Sequence, residues 1–260
     1  VNSTDKEKRE KYVKHLYKKL QREGQLERDV DRLVRNERIA WGASMIACKD
    51  ADAMVTGNIR HYAASIEKLK KVTEPRPGEE IFGMTMITLK GKTILVADTN
   101  VQDFPSPERL VKVSKSCVRV ARLFGFDPKV AFLSHSTFGK PISKNTKHVR
   151  DAIELLKKEN VDFDFDGEMQ PDVALNPIYQ EIYPFSKIVG NANILIMPAL
   201  HSAAISTKLM KVFGGGKLIG PLLIGLGSPI EVAPLRASTS EILNLASIAA
   251  YSSDVIDYDN

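Results

Sequence analysis

The sequence predicts an α/β fold, on three observations. Short apolar runs of strand length recur at residues 81–89, 93–97, 129–133, 161–165 and 193–197. Helical patterns separate them, and such alternation places helices on the faces of a sheet. A loop with two prolines and a glycine at residues 74–80 divides this region from a mainly helical N-terminal part.

The elements follow in order. Residues 5–23 read as a helix with apolar positions Tyr12, Val13, Leu16, Tyr17 and Leu20, ended by Gly24. Residues 28–48 read as a second helix, carrying Val30, Leu33, Val34, Ile39, Trp41, Met45 and Ile46. A short apolar run ends at Thr56-Gly57, and residues 59–72 are again helical. Lys90-Gly91-Lys92 between two apolar runs predicts a hairpin. Ser106-Pro107 has the residue types of an N-cap and first helical position, with a stop at Gly125. Residues 145–158 and 202–213 read as helices, the latter stopped by Gly214-Gly215-Gly216. Residues 218–226 hold two apolar runs, and 238–251 form a last helix.

The chain has 260 residues, enough for one large core or two small domains. It is 43% hydrophobic and 27% charged, an ordinary globular composition. Cys48 and Cys117 are too few for a disulfide scaffold. No apolar stretch reaches membrane-spanning length, and the lysine-rich start does not read as a signal peptide, so a cytoplasmic location is expected. Lys+Arg number 37 and Asp+Glu 32, for a net +5, but residues 1–40 alone hold 12 and 8. Mixed signs at close spacing describe a solvated helix face, so a nucleic-acid partner is not expected.

Three strand ends run into hydroxyl residues or histidine: Val55 into Thr56, Leu133 into Ser134-His135-Ser136, and Met197-Pro198 toward His201-Ser202. Open α/β sheets bind ligands at the carboxyl ends of their strands. Such residues also cap helices, so one end alone says little, whereas three together favour a pocket. Gly214-Gly215-Gly216-Lys217 is not a Walker loop, because Leu218 stands where Ser or Thr must meet magnesium. The run from Asp162 to Gly167 starts like a calcium loop but has Val173 where a bidentate Glu belongs. The five histidines are too dispersed for metal spacing.

From residue 162 onward the sequence resembles a known family. Asp166-Gly167-Glu168-Met169-Gln170-Pro171-Asp172-Val173-Ala174 is similar to its D-G-E-x-Q-x-D-x-A segment. Ala192-Asn193-Ile194-Leu195-Ile196-Met197-Pro198 resembles A-N-V-L-x-x-P, and Ile219-Gly220-Pro221-Leu222-Leu223-Ile224-Gly225-Leu226 resembles I-G-P-[IL]-L-x-G-L. Upstream, Ala51-Asp52-Ala53-Met54-Val55-Thr56-Gly57 resembles A-D-A-x-[VI]-[ST]-G. These are marks of the phosphate acetyl/butyryltransferases. Met197-Pro198-Ala199-Leu200-His201-Ser202 and Phe138 resemble the variant found as the C-terminal part of NADP-dependent malic enzymes.

The resemblance implies a phosphotransacetylase-like fold of two α/β domains with an interdomain cleft, the isocitrate/isopropylmalate dehydrogenase-like architecture. Residues 76–237 would form one domain, and 1–75 with 238–260 the remnant of the other. Transferases carry a Ser-Arg pair and a following carboxylate near the last helix. Here those positions are Pro234, Leu235 and Glu241, with Arg236 one residue late. Losing each oxyanion donor costs about 10²–10³ in rate. Ser238-x-x-Glu241 also fits a capping box, the favoured reading of that glutamate.

The resemblance therefore implies a regulatory module that binds acetyl-CoA without turning it over. Its expected binding residues are Thr56, Arg60, Ser134, Ser136, Glu168, His201, Lys217 and Arg236; were the chain active, Arg236 and Glu241 would carry catalysis. No cofactor is expected in this chain, NADP and a divalent metal belonging to a catalytic region outside it. A dimer is expected by resemblance. The alternatives are an active transferase moving an acyl group between CoA and phosphate, and a purely structural oligomerisation domain.

Overall fold

The computed structural model describes residues 5–258. Its chain divides into two compact units, Val1–Pro77 with Leu226–Asn260, and Gly78–Gly225.

In the first unit, α1 (Lys6–Leu20) opens on Asp5, whose carboxylate accepts the Lys8 N–H. Tyr12, Val13, Leu16 and Leu20 form its buried stripe. Tyr12 meets Trp41 edge to face at 5.0 Å and donates its hydroxyl to Asp50 at 2.7 Å. The helix expected over 28–48 is two helices, α2 (Glu27–Asn36) and α3 (Arg38–Ala47). Glu37 breaks it with φ −109° and ψ 109°, an extended conformation that periodicity does not reveal. Then come β1 (Met54–Gly57) and α4 (Tyr62–Val72). The chain re-enters this unit with β8 (Ile230–Ala233) and α9 (Thr239–Tyr258).

β1 and β8 pair in parallel, Met54 against Ile230 and Gly57 against Ala233. This pairing corrects the expected boundary. Residues 226–237 belong with the first unit, because β8 supplies the backbone partners of β1.

The second unit is a six-stranded mixed sheet in the order β5-β4-β6-β3-β2-β7. β2 (Phe82–Leu89) and β3 (Lys92–Ala97) form the expected hairpin. β3, β6 (Ile194–Ile196), β4 (Lys129–Leu133) and β5 (Asp164–Met169) run parallel, and β7 (Lys217–Ile224) lies antiparallel to β2 at the edge. β5 starts later than the expected 161–165 and carries the Asp-Gly-Glu segment within it.

Successive side chains alternate faces. On one face Val96, Ala131, Leu133 and Leu195 join Val173 and Ala174 of α7 (Pro171–Leu175) and Ala203 of α8 (Leu200–Phe213) in one buried cluster. Leu95, Val130, Phe132 and Ile194 of the same strands are also buried. α5 (Pro107–Leu123) packs on β3 and β6, and α6 (Lys147–Lys158) on β4 and β5. Ser106 caps α5 through the Arg109 N–H with Pro107 in its first turn, and Gly125 follows the helix with φ +77°, as expected.

Candidate functional site

The four parallel strands of the second unit end at one edge, and half of the expected binding residues lie at it or in the connections leaving it. Ser134 and Ser136 follow β4, Glu168 lies near the end of β5, and His201 occupies the first turn of α8. Ser134 Oγ lies 3.1 Å from Ser136 Oγ, which donates to Glu168 Oε1 at 2.8 Å. Gly139 N–H donates to the same oxygen at 3.1 Å, and Arg150 Nη1 at 3.2 Å. The Phe138 N–H donates to the Glu168 carbonyl, and the Ser134 N–H to that of Met169.

The expected ligand role changes for two of these residues. Ser136 is 0% exposed and Glu168 1%, and the Ser136 hydroxyl hydrogen is directed at the carboxylate. They brace the loop from inside, because a buried carboxylate must draw its hydrogen bonds from the chain. The outward-facing residues of this edge are His135, Lys140 and His201, all exposed.

Lys217 is not part of this group. β7 has the same sense as β3, since both are antiparallel to β2, and Thr88 stands opposite both Lys217 and Thr93. Lys217 therefore lies at the amino edge of the sheet, about four strand residues or roughly 13 Å from the end of β3. Sequence order placed it after a glycine run; the direction of β7 decided where that run lies.

Arg150 escaped the sequence reading. Its available signal was an arginine on α6 flanked by the buried positions Val149 and Ala152, which calls for a buried acceptor. Asp98 was missed as well. Its Oδ1 accepts the N–H of Gly83, Asn100 and Val101, and Oδ2 that of Gln102. Burial pushes its carboxyl up, and those N–H donors oppose the shift. His148 Nε2 lies 2.8 Å from the Pro198 carbonyl while its ring packs on Phe104, tying α6 to the turn before α8.

In the first unit, Thr56 and Arg60 line a cavity of about 400 Å³, with Arg38, Met54, Asn58 and Ile242 among its other walls. Arg60 Nη1 donates to Glu37 at 3.0 Å and Lys68 Nζ lies 2.6 Å from the same oxygen. Lys68 and then Arg60 hold the Glu37 carboxyl below its usual range. Arg236 has φ +58°, and its N–H donates to the Asn58 carbonyl at 2.9 Å, joining the turn after β8 to the turn after β1. Its side chain is exposed.

Glu241 is tied as the capping reading expected. Its Oε2 accepts both the N–H and the hydroxyl of Ser238 at 2.8 Å, and its own N–H donates to Ser238 Oγ at 3.3 Å. Just before it, Pro234 and Leu235 offer no side-chain donor.

The fold is phosphotransacetylase-like. The phosphate acetyl/butaryl transferase family model matches residues 1–250, and the chain belongs to that family. It is 45% identical over 240 residues to the NADP-dependent malic enzyme of Rhizobium meliloti (strain 1021), across 92% of this chain and 32% of that protein. It is 36% identical over 259 residues to a probable NADP-dependent malic enzyme of Rickettsia prowazekii (strain Madrid E), across 96% of this chain and 34% of that protein. The chain thus spans about a third of the length of these two relatives. The solved phosphotransacetylase of Streptococcus pyogenes superposes with a TM-score of 0.87 at 27% identity, over 97% of this chain and 76% of that one. Among the described residues, no helix is long and apolar enough to cross a membrane.

Proposed function

We propose that this chain is the regulatory, C-terminal part of a cytoplasmic NADP-dependent malic enzyme, and that it binds acetyl-CoA without acyl transfer. The observation that carries this reading is the turn after β8. Pro234 and Leu235 stand where transferases place their transition-state donors, and Glu241 is engaged in a helix cap. Two missing donors at about 10²–10³ each remove most of an oxyanion-type rate enhancement. Arg236 follows one residue later, but its backbone is fixed by Asn58.

Each unit offers proposed ligand contacts of its own: Thr56, Arg60 and Arg236 in the first, and His201 at the carboxyl edge of the second. The guanidinium groups suit the phosphates of an acyl-CoA. Oxidative decarboxylation of malate to pyruvate, with NADP and a divalent metal, is assigned to the region of the longer protein outside this chain. The homologous transferases sustain the alternative reading, acyl transfer between CoA and phosphate. Titration calorimetry with acetyl-CoA, paired with an acetyl phosphate/CoA turnover assay, separates the two. Binding without turnover is the expected result; turnover at a rate typical of transferases overturns it.

Association into a dimer accompanies this reading. On α8, Ile205, Leu209, Val212 and Phe213 recur at helical spacing and are between 52% and 83% exposed. Together they offer roughly 500 Å² of apolar surface, of the order that marks an interaction site on a soluble domain. A second copy of the chain is the proposed occupant, since this is more than half of the about 800 Å² each partner contributes to a stable interface. Sedimentation of Leu209→Asp should give a monomer where the parent chain gives a dimer. A parent chain that sediments as a monomer, or an unchanged dimer in the variant, refutes that assignment.

A further inference from the structure

Both limbs of the long β4–α6 connection end on one ion pair, between the buried Glu168 and the half-buried Arg150. From the first limb, the Ser136 hydroxyl and the Gly139 N–H reach Glu168 Oε1 at 2.8 and 3.1 Å. From the second limb, Arg150 takes hold of the Ser143 carbonyl through Nη2 at 3.1 Å and of Thr146 Oγ1 through Nη1 at 2.8 Å. The same Nη1 closes the circuit on Glu168 at 3.2 Å. A helix residue thereby joins residues 134–139, residues 143–146 and the end of β5.

The bond directions follow from chemistry. An ionised carboxylate only accepts, so Ser136 donates to Glu168, and the contact from Ser134 to Ser136 is a donation by Ser134. The hydroxyl hydrogens of both serines therefore point inward. Phe138 and Gly139 adopt φ of +47° and +84°, and for Phe138 that conformation costs energy which the surrounding bonds must offset. Charged neighbours do not duplicate the role of Arg150. The Asp166 carboxylate accepts the Gly167 and Lys187 N–H, and Lys140 and His135 are exposed on the loop itself.

We propose that the Arg150–Glu168 pair is the clasp of this loop, and that Arg150 is a positioning residue for ligand bound at the carboxyl edge. It sets affinity by holding the conformation that displays His135 and Lys140, and it does not touch the ligand. The pair is a sound clasp because removing Arg150 leaves the Glu168 charge buried and uncompensated. An open loop binds only through its closed fraction, so apparent affinity falls by that fraction. The affinity part of this proposal rests on the acyl-CoA reading; the clasp itself does not.

The test uses the full chain with Arg150→Ala, followed by hydrogen exchange and by acetyl-CoA titration. Amide exchange across residues 134–146 should accelerate at least about tenfold while α5 keeps its protection. The acetyl-CoA Kd should rise by a similar factor, about tenfold. Millimolar ethylguanidine, which fits the space left by the side chain, should restore both. Arg150→Lys should recover only part, since an ammonium cannot reproduce the two-pronged contact. Glu168→Gln serves as a second variant, keeping the shape and removing the charge, and should loosen the same loop. Uniformly faster exchange over the whole unit, or failure of ethylguanidine to restore the loop, overturns the clasp. A loosened loop with unchanged Kd overturns the positioning role. If the parent chain binds no acetyl-CoA, the acyl-CoA reading fails while exchange and rescue still decide the clasp.

Discussion

Replacing Gly167 by alanine tests how tightly β5 is fitted to β4. Gly167 stands opposite Phe132 with φ +147°, a conformation that L side chains rarely adopt. A Cβ at this position would lie 2.6 Å from the Phe132 carbonyl oxygen, 3.0 Å from its Cβ and 3.3 Å from Ile153 Cδ1. Two of these atoms belong to a central strand and cannot turn away. Relief requires β5 to retreat by about 0.8 Å, an overpacking penalty of roughly 1–3 kcal/mol. The backbone conformation adds about 1–2 kcal/mol. The expected loss is therefore about 2–5 kcal/mol, read as a lowered urea midpoint. Gly125→Ala is the control, since φ is +77° there and no atom lies within 4 Å of the added carbon. It should cost only the conformational part, about 1 kcal/mol. If the two variants unfold within about 1 kcal/mol of each other, the steric reasoning is wrong. The same retreat displaces Glu168, so the loop at residues 134–139 should exchange faster in Gly167→Ala and not in Gly125→Ala.

Further outcomes can be checked on the same material. Phe132→Ala removes a fully buried ring from β4 and should cost about 3–5 kcal/mol by urea denaturation. Glu37→Gln tests the pair of cations on that carboxylate. Its folded-state carboxyl titrates below the unfolded one, so its contribution is present above the unfolded range and fades as pH falls through the lower folded value. The parent chain should lose this increment on acidification and the variant should not, with a difference below about 1 kcal/mol because the partners are partly exposed. Burial pushes both thiols up, most for the fully buried Cys117. A thiol reagent should modify Cys48 slowly in the folded chain and Cys117 only on unfolding.

Much of the secondary structure was legible because its causes are local. The β2–β3 hairpin followed from Lys90-Gly91-Lys92, the start of α5 from Ser106-Pro107, and the Glu241 cap from Ser238 three residues before it. Each depends on the conformational preferences and reach of neighbouring residues. The break at Glu37 was not legible. Apolar positions continue across it, and the extended geometry lets Glu37 meet Arg60 and Lys68 far along the chain.

The site divides along the same line. Which residue types stand at strand ends is a property of the sequence, and so is the absence of side-chain donors at Pro234 and Leu235. Which of those residues face outward was decided only by tertiary structure. Ser136 and Glu168 turn inward because Arg150 supplies the counter-charge that lets a carboxylate stay buried. Lys217 lies at the far edge because β7 has the same sense as β3. Residues 226–237 join the first unit because β1 needs partners for its backbone groups and finds them in β8. These are long-range choices: strand direction, pairing and charge compensation link residues tens of positions apart, and a local pattern carries no record of which distant partner will be met.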